Sequence, residues 1–147
     1  MEAADILQTY RDEVSQAVMT DDWEMYCARV SLPCHIVSHN ENKVVSTVHD
    51  LKDGFDQFRD TLRLQRVADY IRLVKAASQL DADLISGRYV SHLISGSHRL
   101  MPPFRSEMTL RRVGERWCAV SVTNSLPNSR WPLVQLALNP DDPSEGP

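Results

Sequence analysis

The sequence has few glycines and cysteines, a modest aromatic content and no long apolar run. Its five glycines are scattered among 147 residues and form none of the glycine-rich patterns that bind dinucleotides or phosphates. No apolar stretch approaches the roughly 18 residues of a membrane-spanning helix, so we expect no membrane partner. The net charge is −4, with basic and acidic residues interspersed. Because there is no basic stripe with aromatic residues set in it, we expect no nucleic-acid partner.

The three cysteines, Cys27, Cys34 and Cys118, are odd in number and widely spaced. They form no C-x₂-C pair, and the first residues lack the basic and apolar segments of a secretory signal. We therefore expect free thiols in a reducing, cytoplasmic environment. Each cysteine is interpreted as a small buried hydrophobic residue rather than a reactive group.

A length of 147 residues fits a single domain. We predict that residues 1–138 form this domain. Residues 139–147 contain proline and acidic residues and have almost nothing apolar to bury. They are therefore predicted to be a disordered tail.

Two amphipathic segments open the chain and predict helices. The first helix is expected to end near Met19, and its apolar residues recur every three or four positions. These residues are Ile6, Leu7, Tyr10, Val14 and Val18. The second, shorter helix is predicted to start at Asp21, with Glu24 completing a capping box, and to end before Pro33. Its apolar positions are Trp23, Tyr26 and Val30.

A hairpin and a third helix are predicted next. The hairpin pairs the apolar or β-branched runs 34–38 and 43–48 across a turn-like segment. The third helix is predicted to be capped by Asp50. Its apolar face consists of Leu51, Phe55, Phe58 and Leu62.

From Val67 onward the apolar period changes to two, which predicts long antiparallel strands. The predicted strands are 68–80, 82–97, 103–113 and 117–126. Gly114 followed by Glu115 predicts a two-residue type II′ turn between the last two. Helices first and strands later indicate the α+β class.

The last predicted strand is apolar on both faces. Cys118, Val120 and Val122 alternate with Trp117 and Ala119. An antiparallel strand with one solvent-exposed face normally carries polar residues on that face. Because this strand does not, we expect its outer face to be covered. A second copy of the chain and the segment 131–138 are the two candidates for this cover.

The element order, together with the third helix and the last hairpin, resembles the nuclear-transport-factor-2-like superfamily and, within it, the SnoaL-like group. The similarity covers about residues 6–126. The hairpin reads Leu110-Arg111-Arg112-Val113-Gly114-Glu115-Arg116-Trp117. The resemblance implies a cystatin-like α+β fold, in which a strongly curved, mixed, mostly antiparallel sheet wraps around three helices as a cone with an apolar pocket. It also implies a homodimer formed through the outer face of the sheet.

Enzymes of this superfamily are isomerases, cyclases, dehydratases and hydrolases that typically place a carboxylate on the first strand or deep in the sheet. At the matching strand start this chain has Pro33, Cys34 and His35, and no acid follows before Glu41. This departure argues against transferring a carboxylate mechanism. We expect no metal site either. Cys34 and His35 point to opposite faces of a strand, and His35 and His39 would lie about 13 Å apart.

General acid–base chemistry is the catalytic option that remains. The residues expected to line the cone are Trp23, Tyr26, His35, Tyr70, Arg88 and His92. Arg88 and His92 share a strand face, and His92 is the candidate proton carrier because a free imidazole titrates near pH 6.5. In the alternative interpretation, His92 is a surface or hydrogen-bonded sheet histidine, while Trp23 and Tyr26 are core residues.

We therefore predict that the protein binds a small, largely apolar molecule in the cone and uses no cofactor. Acid–base turnover of the bound molecule, by isomerisation, dehydration or cyclisation, is a possible addition to binding. The sequence does not decide whether the protein is an enzyme. The rival function is a non-catalytic dimeric module. A filled interior would favour the module, whereas a cavity with two or more converging polar groups would favour ligand binding.

Overall fold

The computed structural model describes residues 2–38 and 41–125, and within these ranges the chain forms three helices and seven strands. The helices are α1 (Ala3–Met19), α2 (Trp23–Ala28) and α3 (Val48–Leu64). The strands are β1 (Val30–Val37), β2 (Asn42–Val45), β3 (Asp69–Asp81), β4 (Leu84–Ser95), β5 (His98–Arg99), β6 (Phe104–Val113) and β7 (Arg116–Asn124). The segment 131–138 and the predicted tail lie outside the described residues.

The strands form one curved, mixed sheet with the order β2-β1-β7-β6-β4-β3, and the short β5 pairs with β4. Every neighbouring pair is antiparallel except β1 and β7, which run parallel. Strands joined by short connections pair antiparallel, because a tight turn reverses the chain direction. β1 and β7 can run parallel because a long stretch of chain connects them. The predicted α+β fold, with three helices in the first half and a mostly antiparallel curved sheet, is confirmed.

The residues that cap α2 and α3 differ from those predicted. The carboxylate of Asp22 accepts a hydrogen bond from the backbone N–H of Met25 at 3.1 Å, so Asp22 rather than Asp21 caps α2. At α3, Thr47 Oγ1 accepts from the backbone N–H of Asp50 at 3.1 Å. Asp50 therefore lies in the first turn of α3, where its carboxylate interacts favourably with the helix dipole.

The end of α2 also differs from the prediction. The helix stops at Ala28, and Val30 is already the first residue of β1, so the predictions that Val30 is helical and that Pro33 closes the helix were wrong. Pro33 lies inside β1. The backbone N–H of Ala119 donates to the carbonyl of Arg29 at 2.9 Å. Pairing with β7 thus begins directly after the helix and overrides the local helical pattern.

The predicted hairpins are present, with strand ends displaced by a few residues. β1 and β2 pair over residues 34–37 and 42–45. At the last hairpin Val113 pairs with Arg116, and Gly114 adopts a φ of +64°. This confirms the two-residue turn, because its first position favours a glycine at positive φ.

The core lies between α1 and the inner face of the sheet. The buried residues of α1 include the apolar positions Leu7, Tyr10, Val14 and Val18. Gly87 of β4 lets α1 approach closely: a Cβ atom there would contact Leu7 and lie 2.8 Å from the carbonyl oxygen of Ala76. Glycine at this position therefore sets the distance between α1 and the sheet.

A β-bulge explains the two apolar faces of β7. Leu110 pairs with Ala119, but Thr109 pairs with Ser121, which leaves Val120 as an extra residue. Beyond Val120 the alternation is therefore reversed, and Val122 faces the interior together with Ala119. The prediction that Cys118, Val120 and Val122 share one face of β7 was wrong, because beyond the bulge Val122 faces the interior.

Candidate functional site

A cavity of about 100 Å³ lies between the helices and the inner face of the sheet. Side chains of α1, α2 and α3 line one side, and residues of the sheet line the other. The apolar lining includes Val14, Val18, Ile36, Leu51, Phe58 and Phe104. Four tyrosines add rings that carry hydroxyl groups: Tyr10, Tyr26, Tyr70 and Tyr89. The cavity therefore combines an apolar surface with hydrogen-bonding groups, as small-molecule sites do.

Two arginines also line this cavity. Arg11 lies four residues after Leu7 and three before Val14, so it shares the buried face of α1. Only 3% of Arg11 is exposed. Arg72 lies two residues after Tyr70 on β3, so both side chains project from the inner face of the sheet. Both guanidinium groups are thus placed inside the fold by the periodicity of their elements.

Aromatic rings surround both guanidinium groups. The Cζ atom of Arg11 lies 4.9 Å from the ring centroid of Tyr89 and 5.5 Å from that of Tyr10. The Cζ atom of Arg72 lies 4.0 Å from the Tyr70 centroid and 6.0 Å from the Tyr89 centroid. Tyr89 therefore contacts both cations. Each such contact stabilises a cation by about 0.5–2 kcal/mol.

No carboxylate among the described residues pairs with Arg11 or Arg72. The Nε atoms of both are buried without a hydrogen-bond partner, and Arg11 Nη1 donates to the weak acceptor Met108 Sδ at 3.4 Å. Burial lowers the pKa of Arg72 to about 10, with Tyr89 and Tyr10 opposing the shift, so Arg72 stays charged at neutral pH. For Arg11, of which only 3% is exposed, burying the ion costs several kcal/mol, and the ring contacts offset part of that cost. Arg72 is half-buried, with its Nε atom enclosed.

Burial keeps the protons of Tyr10, Tyr26 and Cys34 in place at neutral pH. Burial raises the pKa of Tyr26 to about 12, against the opposing effect of the Arg11 cation. Burial also raises the pKa of Tyr10 above its ordinary value and that of Cys34 to about 11. None of the described residues that line the cavity is aspartate, glutamate, histidine or lysine. These groups can donate hydrogen bonds but cannot serve as a general base.

Three further polar side chains line the sheet side of the cavity: Ser91, Ser106 and Asn124. Asn124 Nδ2 donates to Ser106 Oγ at 3.1 Å. Ser106 pairs with Tyr89 across β6 and β4, which places this polar group next to the ring that contacts both arginines. Positive charge and hydrogen-bonding groups therefore converge on one region of the cavity.

Of the residues predicted to line the pocket, Tyr26 and Tyr70 are found at the cavity wall. Trp23 lies behind the wall, with its ring centroid 5.4 Å from that of Phe55 and 6.2 Å from that of Tyr26. His35 lies on the exposed side of β1, where its Nε2 contacts Asn42 Oδ1. Trp23 and His35 therefore do not line this cavity.

The predicted pair of Arg88 and His92 lies on the opposite face of β4. Arg88 is exposed, and His92 Nδ1 lies 2.7 Å from Arg99 Nη1. The residues between them, Tyr89 and Ser91, face inward instead. This placement contradicts a polar centre formed by Arg88 and His92, because the prediction assigned the wrong parity to β4.

Arg11 and Arg72 are not among the residues predicted to line the cavity, although each carries a recognisable signal in the sequence. Arg11 interrupts an apolar helix face at the spacing of a core residue, and Arg72 alternates with Tyr70 and Val74 on an inward strand face. A cation at a position where the pattern requires an apolar residue is expensive unless something compensates its charge. An arginine at a position where the periodicity predicts an apolar core residue was therefore the signal for the site.

Neither a metal cluster nor a membrane span is found in the described part of the chain. No three His, Cys, Asp or Glu side chains come together there in an arrangement that could hold a metal ion. None of the helices in residues 2–38 and 41–125 has the length and apolar character needed to cross a membrane.

No family model and no curated protein matches the sequence. Solved structures do match. A nuclear-transport-factor-2-like protein of unknown function from Shewanella oneidensis is 10% identical, with a TM-score of 0.65 over 83% of this chain and 98% of that one. A protein of unknown function with a cystatin-like fold from Nostoc punctiforme is 13% identical, with a TM-score of 0.64 over 84% and 90% of the two chains.

A third structure, a nuclear-transport-factor-2-like protein with a cystatin-like fold from Novosphingobium aromaticivorans, is 14% identical. Its TM-score is 0.63 over 86% of this chain and 82% of that one. The chain has the nuclear-transport-factor-2-like fold. The fold implied by the resemblance is thereby confirmed, while assignment to the SnoaL-like group stays a prediction. At these identities the likeness establishes the nuclear-transport-factor-2-like fold alone, and function has to be argued from the cavity.

Proposed function

We propose that the protein binds a small molecule with an apolar body in the cavity between its helices and its sheet. The observation that carries this proposal is the convergence of Arg11, Arg72 and several tyrosines on a cavity of about 100 Å³. A core packed to ordinary density has few voids larger than a water molecule. A cavity of this size, with polar groups aimed at one region, supports ligand binding over a filled structural interior.

The cavity volume limits the size of the ligand. A 150 Å³ apolar cavity in another protein accommodates benzene. In proportion, a cavity of about 100 Å³ fits about four non-hydrogen atoms, and the six of benzene set an upper limit, so we expect a ligand of roughly four to six. The apolar side chains around it would remove most of the ligand surface from water, and this burial is the main source of affinity.

Binding without turnover is favoured over acid–base catalysis. Tyr26 is a proton donor in the cavity, but the described lining offers no carboxylate or imidazole that could act as a base. An isomerase, cyclase or dehydratase needs both to remove and to deliver a proton. A cofactor-free reaction of this kind is therefore the second candidate, and it would need a substrate that supplies its own base.

The dimeric module is the alternative from a different class. Ile71 and Leu73 on the outer face of β3 are 41% and 42% exposed, which supports association through this face. Dimerisation and ligand binding are compatible, because the cavity opens on the inner side of the sheet. We also propose a cytoplasmic location, supported by the three free cysteines Cys27, Cys34 and Cys118, which suit a reducing compartment.

Ligand-detected NMR with a panel of fragments tests the proposed function. We expect fragments of roughly four to six non-hydrogen atoms to bind the wild-type chain. Val122→Phe fills part of the cavity and should abolish this binding. Thr123→Phe introduces the same ring on the exposed face of β7 and is the matched control. The proposal fails if the wild type binds no fragment, or if a folded Val122→Phe variant binds as well as the wild type.

A further inference from the structure

We propose that the ligand of this cavity is a short carboxylate whose carboxyl group is held by Arg11 and Arg72. This inference rests on the proposed ligand-binding function and adds the chemical class of the ligand. It also assigns the two arginines as the residues that select it. The carboxylate would supply the anion that the described cavity lacks, while the apolar body of the ligand would contact the aliphatic and aromatic lining.

The first support is a contrast between arginines of the same chain. Four arginines at the surface or partly buried have carboxylate partners: Arg29 with Glu13, Arg59 with Asp21, Arg63 with Asp60, and Arg112 with Asp83. Arg11 and Arg72, whose Nε atoms are fully buried, have none among the described residues. The other described arginines without a carboxylate partner are exposed and solvated by water, whereas the Nε atoms of Arg11 and Arg72 are buried and unpaired. Stability alone does not favour that arrangement.

The second support is that both guanidinium groups lie near the same aromatic ring in the same cavity. Each Cζ atom lies within 6.0 Å of the Tyr89 ring centroid, and both side chains line the same cavity. In the proposed complex the carboxyl group lies beside this ring and accepts hydrogen bonds from both arginines. The orphaned Nε atoms are donors without acceptors, and a buried donor left unpaired is costly. A ligand with acceptor oxygens removes this cost for both arginines at once.

The chemistry of the lining selects a carboxylate among anions. A guanidinium group offers a planar fork of donors that matches the two oxygens of a carboxylate. Tyr26 keeps its proton at neutral pH and can donate a further hydrogen bond. Apart from this polar region the lining is largely apolar, which suits a ligand with one charged end and a hydrocarbon body. A phosphate or sulfate ion carries no such body.

Butanoate is the probe, since it has six non-hydrogen atoms and fits the size limit of roughly four to six. Butanamide has the same number and nearly the same shape but no charge, and inorganic phosphate has charge but no apolar body. We expect isothermal titration or NMR titration of the full chain to show butanoate binding at least tenfold more tightly than either compound. Phosphate binding as tightly as butanoate would overturn the assignment of a carboxylate.

Substitution of one arginine locates the charge recognition. Arg72→Met keeps a flexible, unbranched apolar side chain and removes the guanidinium charge, and it should weaken butanoate binding at least tenfold while leaving butanamide binding unchanged. Arg88→Met makes the same change on the exposed face of the neighbouring strand β4 and should leave both affinities unchanged. If Arg72→Met does not fold, the comparison of butanoate with butanamide on the wild type still decides the inference.

The outcomes separate this inference from the function on which it rests. If butanoate and butanamide bind equally, or only neutral fragments bind, the carboxylate inference is wrong and the ligand-binding function stands. If neither these compounds nor any fragment of the panel binds, the proposed function itself is wrong. Binding of butanoate that Arg72→Met and Arg88→Met weaken equally would also overturn the assignment, because the effect would then come from net charge.

Discussion

At Arg72 the effect of a buried charge on folding stability can be measured separately from its proposed role in ligand binding. The guanidinium group lies against the Tyr70 ring at 4.0 Å, but its Nε atom has no hydrogen-bond partner. A residue selected for stability at this position would be apolar, because an unpaired buried charge opposes folding. An arginine kept for ligand recognition would therefore make the ligand-free protein less stable than it could be.

We expect Arg72→Met to stabilise the ligand-free protein. Methionine fills a similar volume without charge, so the gain from removing the buried cation should exceed the loss of the cation–π contacts by about 1 kcal/mol. Urea unfolding followed by circular dichroism at pH 7 measures this difference in the free energy of unfolding. A variant less stable than the wild type by more than 1 kcal/mol would show that Arg72 has a structural role instead.

The stabilisation by Arg72→Met should shrink at high pH. Burial lowers the pKa of Arg72 from its ordinary 12.5 to about 10. Between these values the unfolded chain keeps a proton that the folded chain has lost. By linkage, the stability contribution of Arg72 therefore rises with pH through this window. Urea unfolding at pH 8 and pH 10.5 should show a smaller difference between variant and wild type at pH 10.5. An unchanged difference would argue against a buried, charged Arg72.

At the scale of elements, the contact between α1 and β4 fixes which face of the sheet is internal. Gly87 has no side chain, and a Cβ atom there would meet Leu7 of α1 and lie 2.8 Å from the carbonyl oxygen of Ala76 and 2.9 Å from the Cβ atom of Ala77. Two of these neighbours belong to β3, which cannot move without disturbing its pairing with β4. The fit of α1 against the sheet therefore depends on this glycine.

We expect Gly87→Ala to destabilise the protein by about 1–3 kcal/mol, the usual cost of overpacking a core. Ser86→Ala, a change at the neighbouring residue of β4, is the control and should cost less than about 0.5 kcal/mol. Thermal and urea unfolding measure both effects. Equal stability of the two variants would show that α1 can shift away from the sheet, and the interior cavity would then be adjustable in size.

The elements were largely predictable from the sequence, because helical and strand periodicities are local. The prediction failed where strand pairing or a bulge intervened. Val30 lies in β1 and not in a helix, and the bulge at Val120 reverses the alternation of β7. The inner face of β4 was also not predictable. Both sets of alternating residues in this strand contain apolar and polar side chains. The face that turns inward is set by the contact of Gly87 with α1, which is far away in sequence.

The candidate site was predictable only in part, for a related reason. Tyr26 and Tyr70 line the cavity, and their position on amphipathic elements is a signal that the sequence carries. Arg11 and Arg72 were missed because arginines are expected at the surface. Only the assembled sheet and helices show that both side chains are enclosed in one cavity without a carboxylate among the described residues.

At the scale of the whole molecule, the outer face of the sheet is the surface available for association. A dimer was first predicted because β7 looked apolar on both faces. The bulge in β7 removes that reason, since Val122 turns inward. A different reason takes its place at the edge strand β3, where Ile71 and Leu73 are exposed. Leu73 pairs with Val90, and Ile71 pairs with His92. Together these side chains form a partly apolar patch, of the kind that marks protein interfaces.

We therefore predict a homodimer formed through the outer face around Leu73. Light scattering coupled to gel filtration should give twice the monomer mass at micromolar concentrations. Leu73→Glu should shift the protein to a monomer, because a carboxylate in an apolar interface loses its hydration without gaining a partner. Leu80→Glu makes the same change at an exposed residue of β3 near its turn and should leave the dimer intact. A monomeric wild type, or a Leu73→Glu variant that still dimerises, would exclude this interface.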